Sequence, residues 1–376
     1  MRILQVSAHF PAHGGGIEIV AGWLARQLSK AGLDVCWMAG GAPDEWPSDL
    51  PPAVTVVHAR AVDLLEKRLG LPAPIWALSS LRQLYRLVGQ ADVVHIHDFL
   101  YMPTLVAAAF AAVHAKPLVI TQHIGLIPFK SRLARGVLGL LNRSLGRWML
   151  THADRVVFVG RPVQSYFERF VQFRRAPRLI PNGVDHLQFQ PGEQGRVSDA
   201  VQLLFVGRFV EKKGLSLLRQ VLDVRGVRWA FVGRGPLSPA AWSERTPHVT
   251  VLEKLAPAQV AEQYRNADLL VLPSAGEGFP LVVQEALACG TPVLVSREVA
   301  EAFPQIDSRC VFDVELRCVD PIAALRARLL ELTQDPARLR AARPHAVALA
   351  RQWSWEACAQ AYFDVFAQVW DAAQHT

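Results

Sequence analysis

Two α/β domains, each built on a parallel sheet covered by helices, are what the sequence predicts, and three observations predict them. The chain has 376 residues, more than one ordinary hydrophobic core holds and enough for two that fold unaided. Short apolar runs alternate with segments whose apolar residues recur at helical spacing, which implies βαβ units. A polar stretch from Gln190 to Ala200, rich in glycine and charge, divides this alternation into two series that share an architecture and no repeated sequence.

Composition places the chain among soluble globular proteins, with 51% hydrophobic and 19% charged residues. The net charge of +7 favours anionic partners, a class that holds phosphorylated metabolites, anionic lipid surfaces and nucleic acid, and charge alone does not choose among them. Cys36, Cys289, Cys310, Cys318 and Cys358 form no Cys-x-x-Cys pair, so they are read as ordinary thiols and not as a zinc site or a disulfide framework. The apolar run within Met1–Ser7 is too short for a signal peptide and reads as a first buried strand, so the chain is expected in the cytoplasm. Leu105–Val113 is short, rich in alanine and followed by His114 and Lys116, the pattern of a packed helix and not of a membrane span.

The first series opens with a strand over Arg2–Ser7, a Pro/Gly-rich loop over His9–Gly16 and a helix over Ile17–Lys30, whose apolar face is Ile17, Val20, Ala21, Leu24 and Leu28. Gly14, Gly15 and Gly16 thus lie between strand and helix, where a backbone can approach a diphosphate and the helix dipole favours it. The dinucleotide fingerprint itself is not met, because Ile19 takes the place of its third glycine. Further strands are predicted over Val54–His58, Asp92–His97, Leu118–Gln122, Arg155–Val159 and Arg178–Ile180. Ligands of a parallel sheet bind beyond the carboxyl ends of its strands, and His97, Asp98 and His123 stand at two such ends. Residues Lys130–Met149 carry Lys130, Arg132, Arg135, Arg143 and Arg147 and no acid, interleaved with Leu133, Val137, Leu138, Leu140, Leu141, Leu145 and Trp148. Such a basic amphipathic segment suits an anionic membrane interface or acceptor, or equally the packing of its apolar face within its own domain.

After the polar stretch, strands are predicted over Val201–Gly207, Trp229–Gly233, Thr250–Leu252, Leu269–Leu272 and Thr291–Ser296. Arg208 and Lys213 follow the first of these, where cations can neutralise a diphosphate leaving group. Gly233 ends the second. The densest chemistry runs from Val271 to Val295: a buried strand, a Pro/Ser/Gly loop carrying Glu277, and a helical pattern from Leu281 to Ala288 that contains Glu285. The N-terminus of that helix favours an anion. Two carboxylates beside an anion site imply that the ligand also brings hydroxyl groups, as a nucleotide or a nucleotide-sugar does. An aromatic-rich amphipathic helix, from Trp353 to Trp370, closes the chain.

Taken in order, Gly15-Gly16-Ile17-Glu18, Val94-His95-Ile96-His97, Thr121-Gln122-His123, Pro181-Asn182-Gly183-Val184-Asp185, Phe205-Val206-Gly207-Arg208 with Lys213-Gly214, and Glu277-Gly278-Phe279-Pro280-Leu281 with Glu285-Ala286 resemble the retaining glycosyltransferases of family four. The resemblance spans nearly the whole chain, and the paired glutamates with the Arg and Lys upstream are its most specific part. It implies the GT-B fold, two Rossmann-like parallel-sheet domains facing a central cleft. The expected divisions are an N-terminal acceptor-side domain over 1–188, a C-terminal donor-side domain over 189–353, and a C-terminal helix over 354–376 packing back on the first domain. The implied activity is retaining, metal-independent transfer of a sugar, expected to be a hexose, from a nucleoside diphosphate sugar to a glycan, glycolipid or lipid-linked acceptor. No cofactor and no nucleic-acid partner are implied. The expected location is cytoplasmic, or peripheral on the inner face of the plasma membrane through residues 130–149.

By the same resemblance, His123, Arg208, Lys213 and Glu277 are the catalytic candidates, and Gly15, Gly16, Asn182, Gly233, Gly278, Phe279, Pro280, Leu281 and Glu285 bind the donor. Glu285 would accept hydrogen bonds from the ribose hydroxyls and Glu277 from hydroxyls of the transferred sugar. Backbone N–H groups of Gly278, Phe279 and Leu281 would lie along the sugar and diphosphate, while Pro280, which has no N–H, shapes the turn. Arg208 and Lys213 would stabilise the departing diphosphate, with Gly15 and Gly16 approaching it, and His123 would contact the sugar near the reacting carbon. The chain has no Asp-x-Asp pair to hold a metal. It departs from the family after Pro292–Val295, where Ser296-Arg297-Glu298-Val299 stands in place of the usual diglycine turn; bulky residues restrict positive φ there, so the loop must take another shape. Two alternatives remain open, a nucleotide-sugar epimerase of the same fold and a non-catalytic nucleotide-sugar-binding relative. A dehydrogenase has only Gly233-Arg234-Gly235 and the N-terminal glycines in its favour.

Overall fold

A computed structural model describes residues 1–13, 15–41, 50–62, 74–125, 131–192, 200–243, 248–303 and 305–375. They fall into two compact units: Met1–Leu126, Arg132–Asn182 and Trp355–Thr376 make one, and Gly183–Ser354 is the body of the other. The chain leaves the first unit in the Pro-Asn-Gly-Val-Asp turn. Val184 bridges Ser354, and the His186 Nε2 lies 2.9 Å from the carbonyl of Trp353, so the second unit fastens its first and last residues together.

The first unit contains β1 (Arg2–His9), β2 (Asp34–Gly40), β3 (Val54–Ala59), β4 (Ala61–Val62), β5 (Ile75–Trp76), β6 (Val93–His97), β7 (Leu118–Gln122), β8 (Arg155–Phe158) and β9 (Arg178–Leu179). Seven of these form a parallel sheet in the order β3-β2-β1-β6-β7-β8-β9, and β4 and β5 make a two-residue antiparallel pair. Every residue of β6 and β7 is buried, as a sheet covered on both faces requires. The helix Gly16–Lys30 buries Val20, Ala21, Leu24 and Leu28, the face expected from their spacing. Strand β2 is an addition to the predicted set: its Cys, Trp, Met and Gly residues lack the β-branched signature, and burial on both faces removes the alternation that marks a half-exposed strand.

The second unit contains β10 (Val201–Val206), β11 (Val227–Val232), β12 (Val249–Leu252), β13 (Leu269–Leu272), β14 (Val293–Ser296) and β15 (Val311–Val314), all parallel, in the order β12-β11-β10-β13-β14-β15. Strand β15 is also new, a four-residue run interrupted by Asp313. In each sheet the order reverses once, between β1 and β6 and between β10 and β13. A ligand of an open parallel sheet binds outside the strand ends at such a reversal. Among the described residues no helix is long and apolar enough to cross a membrane.

Residues 132–152 are helical throughout, as Arg132–Leu141, a π-type stretch Asn142–Gly146 and Arg147–His152. Their apolar residues divide between two faces. Leu138, Met149 and Leu150 are buried in the unit's core, whereas Leu133, Leu140 and Trp148 are 78%, 67% and 56% exposed, with Val137 and Leu141 beside them. Arg132, Arg135, Arg143 and Arg147 are exposed as well; Lys130 lies outside the described residues. Packing therefore uses only one of the two apolar faces that the sequence provides.

The terminal helix Trp355–Gln374 joins the first unit's core. Trp355 stacks on Trp23 at 5.6 Å, and the Tyr362 hydroxyl lies 3.0 Å from Thr121 Oγ1 on β7. Trp355→Ala should cost about 3 kcal/mol of stability, since truncation of a buried Trp leaves a cavity. A lowered urea midpoint checks this, and an unchanged one would mean that the Trp355 side chain contributes nothing to that core.

Candidate active site

The second sheet's reversal places two loops side by side. After β10 the chain runs through Gly207 and Arg208 into a single 3-10 turn, Glu211–Lys213. Gly214 follows with φ +81, and an added Cβ there would run into the carbonyl and ring of Pro273. That close approach brings the turn against Pro273–Pro280, the loop after β13. Gly233, at the end of β11 with φ +148, is similarly pressed on the Gly207 carbonyl, and Phe209 N–H donates to the Arg234 carbonyl at 2.8 Å.

The loop Pro273–Pro280 is held residue by residue. Ser296 Oγ donates to the Ser274 carbonyl at 2.6 Å, and Ala275 N–H donates to the Lys212 carbonyl at 2.9 Å. Gly276 N–H donates to Glu298 Oε1 at 2.9 Å. Glu277 forms an ion pair with Lys213 at 2.9 Å and a longer one with Lys212 at 3.9 Å. The Ser-Arg-Glu-Val departure thus takes a definite shape, a short helix Arg297–Ala300 whose N-cap is Ser296. Glu298 also receives Arg317 Nη2 at 2.6 Å.

Gly278, Phe279 and Pro280 are buried and lead into the helix Leu281–Ala288, with Pro280 as its N-cap and Leu281 as its first residue. The Phe279 ring packs on Phe303 and Trp353 at 4.8 and 5.5 Å, so its side chain anchors the turn in the core. One turn into the helix, Glu285 accepts a 2.8 Å hydrogen bond from the Tyr264 hydroxyl. Arg208 is exposed, with no ion-pair partner among the described residues.

In the first unit, Gly15 is the N-cap of the helix Gly16–Lys30, and an added Cβ would meet the carboxylate of Glu18; Gly14 lies outside the described residues. His123 follows β7, its backbone N–H donating to Asp98 Oδ1 at 3.0 Å and its Nε2 lying 3.0 Å from His97 Nδ1. Asn182 is buried at the unit's edge. Lys213, Glu277, Gly233 and the loop backbone thus gather at one reversal and Gly15 and His123 at the other. No group of three or more His, Cys, Asp or Glu side chains among the described residues is placed to hold a metal ion.

Residues 14–187 match the model of Glycosyltransferase Family 4, and residues 200–335 that of Glycosyl transferases group 1. A D-inositol 3-phosphate glycosyltransferase of Segniliparus rotundus is 34% identical over 379 residues, covering 92% of this chain and 82% of the relative. The chain belongs to glycosyltransferase family 4. Also similar is an MMP alpha-(1->4)-mannosyltransferase of Mycolicibacterium hassiacum, 27% identical over 90% of this chain and 92% of its own. The fold is shared with the sucrose-phosphate synthase of Thermosynechococcus elongatus, at a TM-score of 0.78, 20% identity, and coverage of 99% and 100% of the two chains. It is shared too with Anabaena HepE solved in complex with UDP and glucose, at a TM-score of 0.74, 16% identity, and coverage of 98% and 100%. The protein is a GT-B glycosyltransferase, and relatives named as transferases and synthases do not favour the epimerase reading or the non-catalytic one.

Electrostatics in this family 4 glycosyltransferase separates the two glutamates. Burial pushes the Glu277 carboxyl up, but Lys213 and Lys212 more than offset it and hold it below the ordinary 4.5. Burial dominates at Glu285, pushing it up to about 7, with the Tyr264 hydrogen bond opposing. Nothing in the sequence singles out Lys212 or Tyr264. The first is one of two adjacent lysines with nothing to rank them, and the second has the spacing of an ordinary core residue in the helix Pro257–Asn266.

The two glutamates act oppositely on stability. A depressed folded pKa stabilises above 4.5 and is lost on acidification. A raised one binds an extra proton in the folded state between 4.5 and about 7, so its contribution falls as pH rises through that window. Glu285→Gln should therefore raise the melting temperature relative to the parent at pH 8 and narrow that difference toward pH 5; a difference that does not vary with pH would contradict the raised pKa.

Proposed function

We propose that this glycosyltransferase moves a sugar from a nucleoside diphosphate sugar to a glycan, glycolipid or lipid-linked acceptor, with retention of configuration and without a metal ion. The observation that carries this reading is the Lys213–Glu277 ion pair at the sheet reversal. Cleaving an anomeric bond builds positive charge on the sugar and negative charge on the leaving phosphate, so fixed cations at that phosphate lower the barrier. Lys213 and Lys212 offset the single charge of Glu277, and Arg208 adds a further cation. The site can then take up a diphosphate while Glu277 still accepts hydrogen bonds from sugar hydroxyls.

Glu285 takes the ribose hydroxyls in this reading, and Gly233, Gly278, Phe279, Pro280 and Leu281 form the backbone around the sugar and diphosphate. In the first unit His123 contacts the sugar, with Gly15, Gly16 and Asn182 completing the donor contacts. Retention follows if the acceptor attacks the face from which the phosphate leaves and that phosphate takes its proton. Solved UDP and UDP-glucose complexes of a protein with this fold support a nucleotide-sugar donor. Melting-temperature shifts with UDP-, GDP- and ADP-sugars identify the donor, since a ligand that binds the native state raises its stability. With that donor, the double variant Arg208→Ala/Lys213→Ala should lower the transfer rate by about a hundredfold, and a chelating buffer should leave the parent's rate unaffected. Undiminished turnover in the variant would remove the leaving-group role.

The unpacked face of residues 132–148 gives the acceptor side its setting. Exposed apolar side chains on a segment with four exposed arginines and no acid suit an anionic bilayer, into which leucines and a tryptophan sink while the guanidinium groups stay at the headgroups. Co-sedimentation with liposomes should require anionic lipid and fade with added salt. Leu133→Glu/Leu140→Glu should abolish it, and binding indifferent to both lipid charge and salt would rule the surface out.

A further inference from the structure

Three histidines crowd together along β6 and just beyond the end of β7. His95 and His97 are wholly buried and His123 nearly so, with the His95 and His97 rings 4.5 Å apart. Burial lowers the pKa of all three, to about 3 for His95 and His123, so each is a neutral imidazole with one N–H and one bare nitrogen.

Only one direction of the hydrogen bond between His97 and His123 leaves no orphaned N–H on His97. His97 Nδ1 and His123 Nε2 are 3.0 Å apart, so one donates and the other accepts. His97 Nε2 is buried without a hydrogen-bond partner among the described residues. If His123 donated, the His97 proton would sit on that Nε2 as an orphaned buried donor. If His97 donates, its Nε2 is merely a bare acceptor, and unpaired buried N–H groups are the rarer and costlier kind. His95 obeys the same rule: Nε2 lies 2.8 Å from Thr121 Oγ1, and the partnerless nitrogen is Nδ1.

We propose that His97 is a positioning residue that fixes His123 as its Nδ1–H tautomer, so that His123 offers the donor sugar a hydrogen-bond donor and not an acceptor. This rests on the proposed contact of His123 with the sugar. Asp98 holds the backbone of His123 through the 3.0 Å bond to its N–H, and His97 holds the ring. The same arrangement denies His123 the role of general base, because its bare Nε2 is already engaged by the His97 N–H. The deprotonation of the acceptor must then fall to another group, as it does when the leaving phosphate takes the proton.

Two-bond 1H–15N correlation spectra of the full-length chain labelled with 15N-histidine read the tautomers directly. The expected result at pH 7 is a proton on Nδ1 of both His97 and His123. A proton on His123 Nε2 would overturn the proposal. His97→Leu should let His123 interconvert between tautomers and lower kcat/KM for transfer about tenfold, the loss of roughly one hydrogen bond, with affinity for free nucleoside diphosphate unchanged. His97→Asn keeps an N–H near the Nδ1 position and should restore both the tautomer and most of the rate. An unaltered tautomer in both variants would also sink the idea. The expected tautomer in a chain that transfers no sugar would uphold the role of His97 and reject the donor-site reading instead.

Discussion

Charge cancellation at the mouth of the second sheet is the constraint on which the rest of the site depends. Glu277 is largely withdrawn from water on a tight loop, and an unpaired carboxylate so placed would be strongly disfavoured. Lys213 stands 2.9 Å from it, and can do so because Gly214, with φ +81, lets the 3-10 turn close on Pro273. A side chain at that glycine would push the turn away and separate the charges. The geometry of two loops and the pKa of one glutamate are therefore a single fact.

Much of this was legible in the chain itself. β7 and β13 fall where their apolar runs put them, and the apolar face of the helix Gly16–Lys30 follows from its spacing. The order of motifs was enough to suggest the family. What escaped detection depended on tertiary context. β2 carries no alternation because both its faces are covered, and β15 has Asp313 in the middle of a four-residue run. Lys212 and Tyr264 act only through partners distant in sequence, and no local pattern reports such a partner. Glu298 stood out only as a misfit where glycine is usual, yet its carboxylate receives the Gly276 N–H.

Residues 132–152 show how one sequence pattern can answer two questions. The leucines read equally as core or as an interface, and the structure divides them, Leu138 inward and Leu140 outward. The five-residue π-type stretch at Asn142–Gly146 makes the buried side possible: Asn142 Nδ2 donates to the Gly125 carbonyl at 3.2 Å, and Gly146 leaves room for the ring of Phe99.

The clamping of Ser274 to Glu277 also bears on thermodynamics. Each of these four consecutive residues is tied to a neighbour by its carbonyl, its N–H or its side chain. Freezing a flexible backbone residue costs about 1–2 kcal/mol, a cost that a ligand bears when it must order its own loop. Here the folding of the domain has already met it. A ligand entering this site spends little of its interaction energy on organising the protein, and more remains to distinguish the transition state from the bound substrate.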